Sequence, residues 1–295
     1  MNGRLQRWRF LLRFVLSAGL LFCLPAPLAW PLALLLFCLH GLVMLVSFAW
    51  LLLVNGATPV ALLRAYVWEW ALYEWVFGFC QPFAERRLPN ELPTELPAQS
   101  AAARGVLLLH GFSCNRGLWN GWMRRLHSEG HAFAALSMEP IYGSIDAYAD
   151  EIEAAVQQLT EAAGSAPLIL CHSMGGLAAR AWWRRHGRQG RAHAIVTLGT
   201  PHVGTPMARW GRALNVQQMR PRSAWLSELA RHEEMQPLPP MLCIASDCDQ
   251  IVFPAASALL PQARHIMVPA TGHLGLVFHP RVRAEVQALL DDVAA

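Results

Sequence analysis

The sequence predicts an α/β protein: a mostly parallel sheet with helices on both faces, carrying a cap insertion and preceded by an N-terminal transmembrane helical hairpin. Three observations carry that expectation. Beyond residue 104, short and wholly apolar runs alternate with helix-length segments, the pattern of a sheet buried on both faces. One such run, Leu168-Ile169-Leu170-Cys171, ends in His172-Ser173-Met174-Gly175-Gly176 and leads straight into a helical segment, which spells strand, sharp turn, helix. The apolar excess of this 295-residue, 54% hydrophobic chain sits at the other end, within the first 80 residues.

At that end, Arg4, Arg7, Arg9 and Arg13 flank an apolar run over 10–24. Pro25, Pro27 and Pro31 interrupt it, and an uncharged run over 32–54 is long enough to cross a bilayer core as a helix. Two crossings joined by the Pro-rich turn make a hairpin, with Trp8, Trp30 and Trp50 at interfacial positions. A single anchor and a cleaved leader are the competing readings, although no small-x-small site follows the first run. With the arginines held in the cytoplasm, an even number of crossings returns the remaining chain to that side, which predicts a bacterial inner-membrane protein with its α/β domain facing the cytoplasm. Seven cysteines, without paired spacing and several inside apolar runs, agree with a reducing compartment.

Residues 60–83 are rich in aromatics, with Arg64, Glu69 and Glu74 interspersed. They suit either a helix in the headgroup plane or one packed on the domain that follows. A Pro/Glu-rich, patternless stretch closes at 100, so the expected division is 1–58 (membrane hairpin), 59–100 (interfacial helix and linker) and 101–295 (α/β domain).

Within the last unit, strands are expected at 105–109, 131–138, 168–171, 192–198, 241–245 and 265–268. Helices are expected at 118–128, from a Ser144 or Asp146 cap to 163, at 177–185, at 255–260, and at 274–290 with a bend at Pro280. The polar, Pro-rich, poorly periodic stretch 201–240 reads as the cap insertion, whose Met207, Trp210, Leu214, Met219 and Trp225 are candidates for an apolar lid or groove.

In a parallel sheet the reactive side chains belong at the carboxyl ends of strands. Ser173 falls there, as do Asp247 and Asp249 after the 241–245 strand and His273 after the last. A serine needs a base to take its proton, and the base needs an acid to hold its tautomer. His273 is the candidate base, with His265 and His279 as competitors; Asp249 is preferred to Asp247 as the acid because it directly precedes Ile251-Val252-Phe253-Pro254. The backbone N–H groups of Phe112 and Met174 are the candidate donors to a developing oxyanion. His110 reads as a loop organiser and His172 as a packing residue.

A net charge of +4 without any Lys/Arg run gives no nucleic-acid track. Gly175-Gly176 lacks the spacing and lysine of a phosphate loop, so no nucleotide is expected. No cofactor and no metal are expected either, His202 and His232 being the loose candidates for an ion.

The set His110-Gly111-Phe112, Cys171-His172-Ser173-Met174-Gly175-Gly176, Gly199-Thr200-Pro201-His202-Val203-Gly204, Asp249-Gln250-Ile251-Val252-Phe253-Pro254 and Gly272-His273 resembles the lipase and esterase branch of the α/β-hydrolases, bacterial triacylglycerol lipases in particular, over residues 104–290. The resemblance implies an α/β-hydrolase fold, Ser173 as nucleophile, Asp249 as acid, His273 as base, and hydrolysis of hydrophobic carboxylic esters through an acyl-enzyme. It equally admits a thioesterase or acyltransferase on the same residues, and less readily a non-catalytic membrane interaction protein. The sequence departs from the family pattern twice: Cys171 stands where glycine is usual, and the N-terminal hairpin is absent from secreted lipases. The expected partners are therefore a lipid bilayer and a hydrophobic ester.

Overall fold

The computed structural model describes residues 2–54, 57–92 and 104–292. The chain opens with helices α1 (Asn2–Cys23), α2 (Ala26–Val54) and α3 (Pro59–Trp75); a π-turn, Val76–Cys80, carries α3 into the short α4 (Gln81–Phe83). There follow β1 (Val106–Leu109), α5 (Asn120–Ser128), β2 (Phe133–Ala135), α6 (Ala149–Ala163), β3 (Leu168–His172), α7 (Met174–His186) and β4 (Ala194–Leu198). The remainder is α8 (Leu214–Gln218), α9 (Ala224–Met235), β5 (Met241–Ala245), β6 (Arg264–Met267), α10 (Gly275–Phe278) and α11 (Pro280–Asp291).

The six strands form one parallel sheet in the order β2-β1-β3-β4-β5-β6. Alternate residues face opposite sides, as strand geometry requires. Leu107, Leu109, Ile169 and Ile195 pack with Ile152 and Val156 of α6 and Leu177 and Trp182 of α7. Val106, Leu108, Leu170 and Val196 pack on the other face with Trp122 of α5 and Val282 and Val286 of α11. Each buried aliphatic side chain contributes about 1.5–3 kcal/mol, which is why runs that are apolar on both faces become central strands. Strand order reverses between β1 and β3, with Leu109 beside Cys171, and a crevice opens at the carboxyl ends of such a pair.

Several elements differ from expectation: the 192–198 strand starts at Ala194, the helix expected over 255–260 is a 3₁₀ turn, Ala255–Ala258, and the Pro-rich turn expected around 25–31 is helical from Ala26 onward. The 131–138 strand narrows to Phe133–Ala135, and the closing helix divides at His279-Pro280, where His279 Nδ1 caps α11 by accepting from the Arg281 N–H at 3.2 Å. Ser144 does cap its segment, its Oγ accepting from the Asp146 N–H at 3.3 Å, but through a 3₁₀ turn, Ile145–Tyr148, ahead of α6. The linker expected over 82–100 lies outside the described residues from 93 onward.

A helical hairpin does form over 1–58, as α1 and α2, but its arms are not the two straight crossings expected. No single helix among the described residues is long and apolar enough to cross a membrane; Ala26–Leu36 and Cys38–Val54, bent by 54°, qualify only together. The two ends of the hairpin are bound to the α/β domain. Asn2 Nδ2 donates to the carbonyls of Ser113 and Cys114 at 2.9 and 2.6 Å, Gln6 Nε2 donates to Gln81 Oε1 at 2.7 Å, and Arg13 pairs with Glu74 at 3.2 Å. At the other end Met44, Phe48 and Leu51 of α2 pack with Leu62 and Ala65 of α3 and with Cys248 and Phe253 of the loop after β5. Of the two readings of 60–83, packing on the domain is seen for one face, where Leu72 and Val76 enter the core; Leu63 and Trp68 on the helix are exposed.

Candidate active site

Ser173 joins β3 to α7 with φ 54° and ψ −126°, a backbone conformation that costs a non-glycine residue on the order of 1–3 kcal/mol. The surroundings hold it there. Its N–H donates to the Leu198 carbonyl at 2.8 Å, and its carbonyl accepts from Thr200 Oγ1 at 2.8 Å and the Gly176 N–H at 3.1 Å. The turn also needs glycine next door: a Cβ on Gly175 would meet the Leu109 and His110 carbonyls, and one on Gly111 would lie 2.8 Å from Ser173 Cβ. Cys171 is fully buried among the side chains of α6 and α7, and burial pushes its thiol far above the usual range. It is a small apolar filler, which explains its tolerance at that place.

His273 follows β6, and its Nδ1 lies 2.8 Å from Asp249 Oδ2. The other Asp249 oxygen accepts from the N–H groups of Ile251 and Val252 at 2.9 and 2.8 Å, so the carboxylate cannot swing away. Asp247 is turned elsewhere, accepting from the Ala270 N–H at 2.8 Å. His265 accompanies an exposed strand edge and His279 caps α11, so neither competing histidine joins the group. Burial works to lower the His273 pKa, but the charge and hydrogen bond of Asp249 and the charge of Glu69 outweigh it, and the net shift is upward. Gly199, at φ 56°, is the third wall: a Cβ there would lie 2.8 Å from Asp249 Oδ2 and 3.1 Å from His273 Nδ1.

Two other histidines are held neutral by burial. His110, lowered to about 4, accepts from the Met138 N–H at Nε2 (3.0 Å) and donates from Nδ1 to the Gly111 carbonyl (2.8 Å), tying the exits of β1 and β2 together. His172, driven well below its ordinary value, donates from Nε2 to the His273 carbonyl at 3.1 Å. His172, expected to pack locally, thus reaches 101 residues along the chain to hold the backbone of His273.

Met174 follows Ser173 directly and opens α7, and Phe112 lies just beyond β1, the strand that pairs with β3. The Met174 N–H, at the first helical position, has no acceptor within its helix. Its side chain is buried in the core, whereas Phe112 borders a cavity of about 260 Å³ together with Ser173 and His273.

The roof of that cavity departs from expectation. Val43, Met44 and Ser47 of α2 and Tyr73 of α3 line it, and from the 201–240 stretch only Met207 does. Met219 and Trp225 pack into the core beneath, while Trp210 and Leu214 are 84% and 51% exposed. The roof belongs to the N-terminal helices because the apolar face of α2 docks on α3 over the strand ends, leaving 201–240 to cover the flank of α7. There Arg180 forms a buried double hydrogen bond to Glu233, at 2.7 and 2.9 Å, and donates to the His202 carbonyl at 2.9 Å. His202 therefore serves the scaffold. Among the described residues no group of three or more His, Cys, Asp or Glu side chains is placed to hold a metal ion.

One position at the candidate site was not expected. Glu69 of α3 is 1% exposed, and its carboxylate accepts from Gln250 Nε2 at 2.9 Å, the Leu274 N–H at 2.7 Å and the Gly275 N–H at 3.0 Å. Gln250 in turn accepts from the His273 N–H at 3.1 Å through Oε1. Burial pushes the Glu69 carboxyl upward against those hydrogen bonds. An acidic residue on an otherwise apolar helical face was the available signal.

The fold is that of the α/β-hydrolases. The family described as the PGAP1-like alpha/beta domain matches residues 146–258, and no curated protein matches the sequence. Among solved structures, the mature form of the Bacillus licheniformis lipase BlEst2 superposes with a TM-score of 0.58 at 15% identity, covering 67% of this chain and 95% of that one. Aspergillus fumigatus lipase B gives 0.57 at 16% identity, over 68% of this chain and 56% of its own.

Proposed function

We propose that the chain is a serine hydrolase that cleaves carboxylic esters of hydrophobic acyl substrates at a membrane surface. One observation carries the reading: a serine on a strained strand-to-helix turn shares an apolar cavity with a histidine whose far nitrogen is 2.8 Å from a buried, backbone-anchored carboxylate. In this mechanism Ser173 Oγ attacks the ester carbonyl while His273 Nε2 takes its proton. Asp249 holds Nδ1–H toward itself and stabilises the imidazolium. The N–H groups of Phe112 and Met174 receive the oxyanion. Collapse expels the alcohol with the proton from His273, and a water deprotonated by His273 then releases the acid from Ser173. The same apparatus serves thioesters and acyl transfer, so the leaving group and acceptor are matters for a substrate panel.

Membrane attachment is the second part of the proposal. Beyond Arg13 the hairpin carries an exposed apolar surface that includes Phe22, 92% exposed, and Trp30, 66% exposed, far more than a water-facing surface carries without a partner. The arms beyond the docked ends, 14–23 and Ala26–Leu36, each rise roughly 16 Å, about half of a ~30 Å hydrocarbon core. A hairpin dipping into one leaflet fits that length better than two full crossings. The Arg-rich first turns dock on the α/β domain, so both lie on one side, which the positive-inside rule makes the cytoplasmic one.

The test is labelling of detergent-solubilised protein with a serine-reactive fluorophosphonate. Wild type should label and Ser173→Ala should not; label that persists in Ser173→Ala, or none in either, defeats the assignment. A reporter fused after Ala295 should report the cytoplasm.

A further inference from the structure

The cavity beside Ser173 is the innermost of three that follow one another along the α1–α2 hairpin. The second, about 620 Å³, shares His40, Val43, Tyr73 and Phe77 with the first. The third, an open groove of about 780 Å³, shares Leu16, Leu36 and Leu39 with the second and ends among Cys23, Leu24 and Leu32 near the hairpin tip. The outer chamber has no polar or charged side chain in its wall. The middle one carries the polar Gln6, Arg9, Arg13, His40 and Ser113, with Arg13 turned to Glu74. The 54° bend of α2 falls between Leu36 and Cys38, where the outer two chambers join.

We infer that this succession is an acyl-chain track: the chain of a bilayer lipid ester lies between α1 and α2, its ester at Ser173 and its tail toward the hairpin tip. The inference rests on the reading of Ser173 as nucleophile and names the substrate class for it, long-chain esters taken directly from a leaflet. Arg9 and Arg13 mark the level at which the hairpin leaves the headgroups, and the Ser173 cavity lies on the domain side of them. A lipid must therefore be drawn partly out of the leaflet to react. Each methylene exposed to water on that path would weaken binding roughly fourfold, and the largely aliphatic and aromatic wall, continuous from Leu20 and Leu36 to Val43 and Phe77, lowers that penalty. Ser113 apart, the outer two chambers are built by the N-terminal helices, and the 201–240 stretch contributes only Met207 to any of the three.

Two narrowing substitutions test it in full-length protein on phosphatidylcholine vesicles. A Cβ added at Gly19 meets no atom within 4 Å, so Gly19→Trp fills the outer chamber without moving the backbone; Leu39→Trp blocks the joint with the middle one. The ratio of kcat/KM for p-nitrophenyl palmitate to that for p-nitrophenyl butyrate should fall at least about tenfold, the worth of roughly two methylenes. An unchanged ratio in both variants overturns the track. Loss of Ser173-dependent butyrate hydrolysis in the wild type would instead overturn the nucleophile assignment. A readout independent of catalysis is photocrosslinking of a palmitoyl ester with a terminal diazirine to Ser173→Ala protein. Adducts within 15–39 support the track, and adducts confined to 201–240 overturn it.

Discussion

The carboxylate of Glu69 accepts the backbone N–H of Leu274 at 2.7 Å, so a residue from outside the sheet holds the loop on which His273 stands. With the Gly275 N–H and Gln250 it fixes both the His273 loop and the Asp249 loop from one point. Glu69→Gln keeps the shape but removes the charge and forces one N–H donor against an amide N–H. We expect kcat to fall roughly 10- to 100-fold, as misplacement of a base by a fraction of an ångström does, with less change in KM. Since the Glu69 charge raises the His273 pKa, the acidic limb of the pH–rate profile should move to lower pH in the variant. A merely structural role would lower activity without moving that limb.

The two aspartates after β5 should behave differently. Asp249→Asn would remove the carboxylate that fixes the His273 tautomer and cost about three to four orders of magnitude in kcat. Asp247→Asn keeps an oxygen for the Ala270 N–H and should stay within about tenfold of wild type. Steady-state hydrolysis of p-nitrophenyl butyrate by both variants decides it.

Wild-type activity itself has a signed pH dependence. In the proposed mechanism His273 must be neutral to take the serine proton, and its pKa lies above the ordinary value of about 6.5. Activity should therefore decline on acidification from a midpoint above about 6.5, and a midpoint at or below it would contradict the pairing with Asp249.

Stability should fall over a lower range. His110 has a folded pKa of about 4, below its unfolded value, so the unfolded chain binds the proton first as pH falls. Its contribution is present above about pH 6.5 and is lost toward pH 4, amounting to on the order of 3 kcal/mol at about 1.4 kcal/mol per unit. His172 and His202 act in the same direction. Urea midpoints measured between pH 7 and 4 should drop, and the slope should be shallower in His110→Asn.

The hairpin tip should govern membrane partition. Replacing Phe22 and Trp30 by aspartate places two charges where the proposal puts hydrocarbon. In vesicle flotation the wild type should rise with phosphatidylcholine vesicles and the double variant should remain in the soluble fraction; equal flotation would remove the one-leaflet insertion.

Much of the domain was legible in the sequence because its signals are local. A wholly apolar run of strand length, followed by Ser173 and the Gly175-Gly176 pair, specifies a strand that must turn sharply into a helix, whatever lies elsewhere. Periodicity likewise located all six strands, with errors at the ends of β2, where pairing rather than composition sets the length. What could not be read was direction and partner. Asp247 and Asp249 are two turn aspartates of the same chemistry, and only the packing of the Ile251-Val252 amides turns the second toward His273. Glu69 lies 204 residues before His273 in sequence (273 − 69), so no periodic signal links them.

The same limit governs the hairpin. The sequence by itself determined that residues 10–24 and 32–54 are apolar and of helix length, since hydropathy and length are properties of the segment. It did not determine what those faces touch, because a side chain that favours lipid favours a protein interior equally. Only the tertiary structure decided that α2 bends, lays Met44 and Phe48 on the domain, and roofs the Ser173 cavity in place of the 201–240 stretch. The physical reason is that burial is non-directional: its amount is written in composition, while its partner is set by which surfaces the fold brings together.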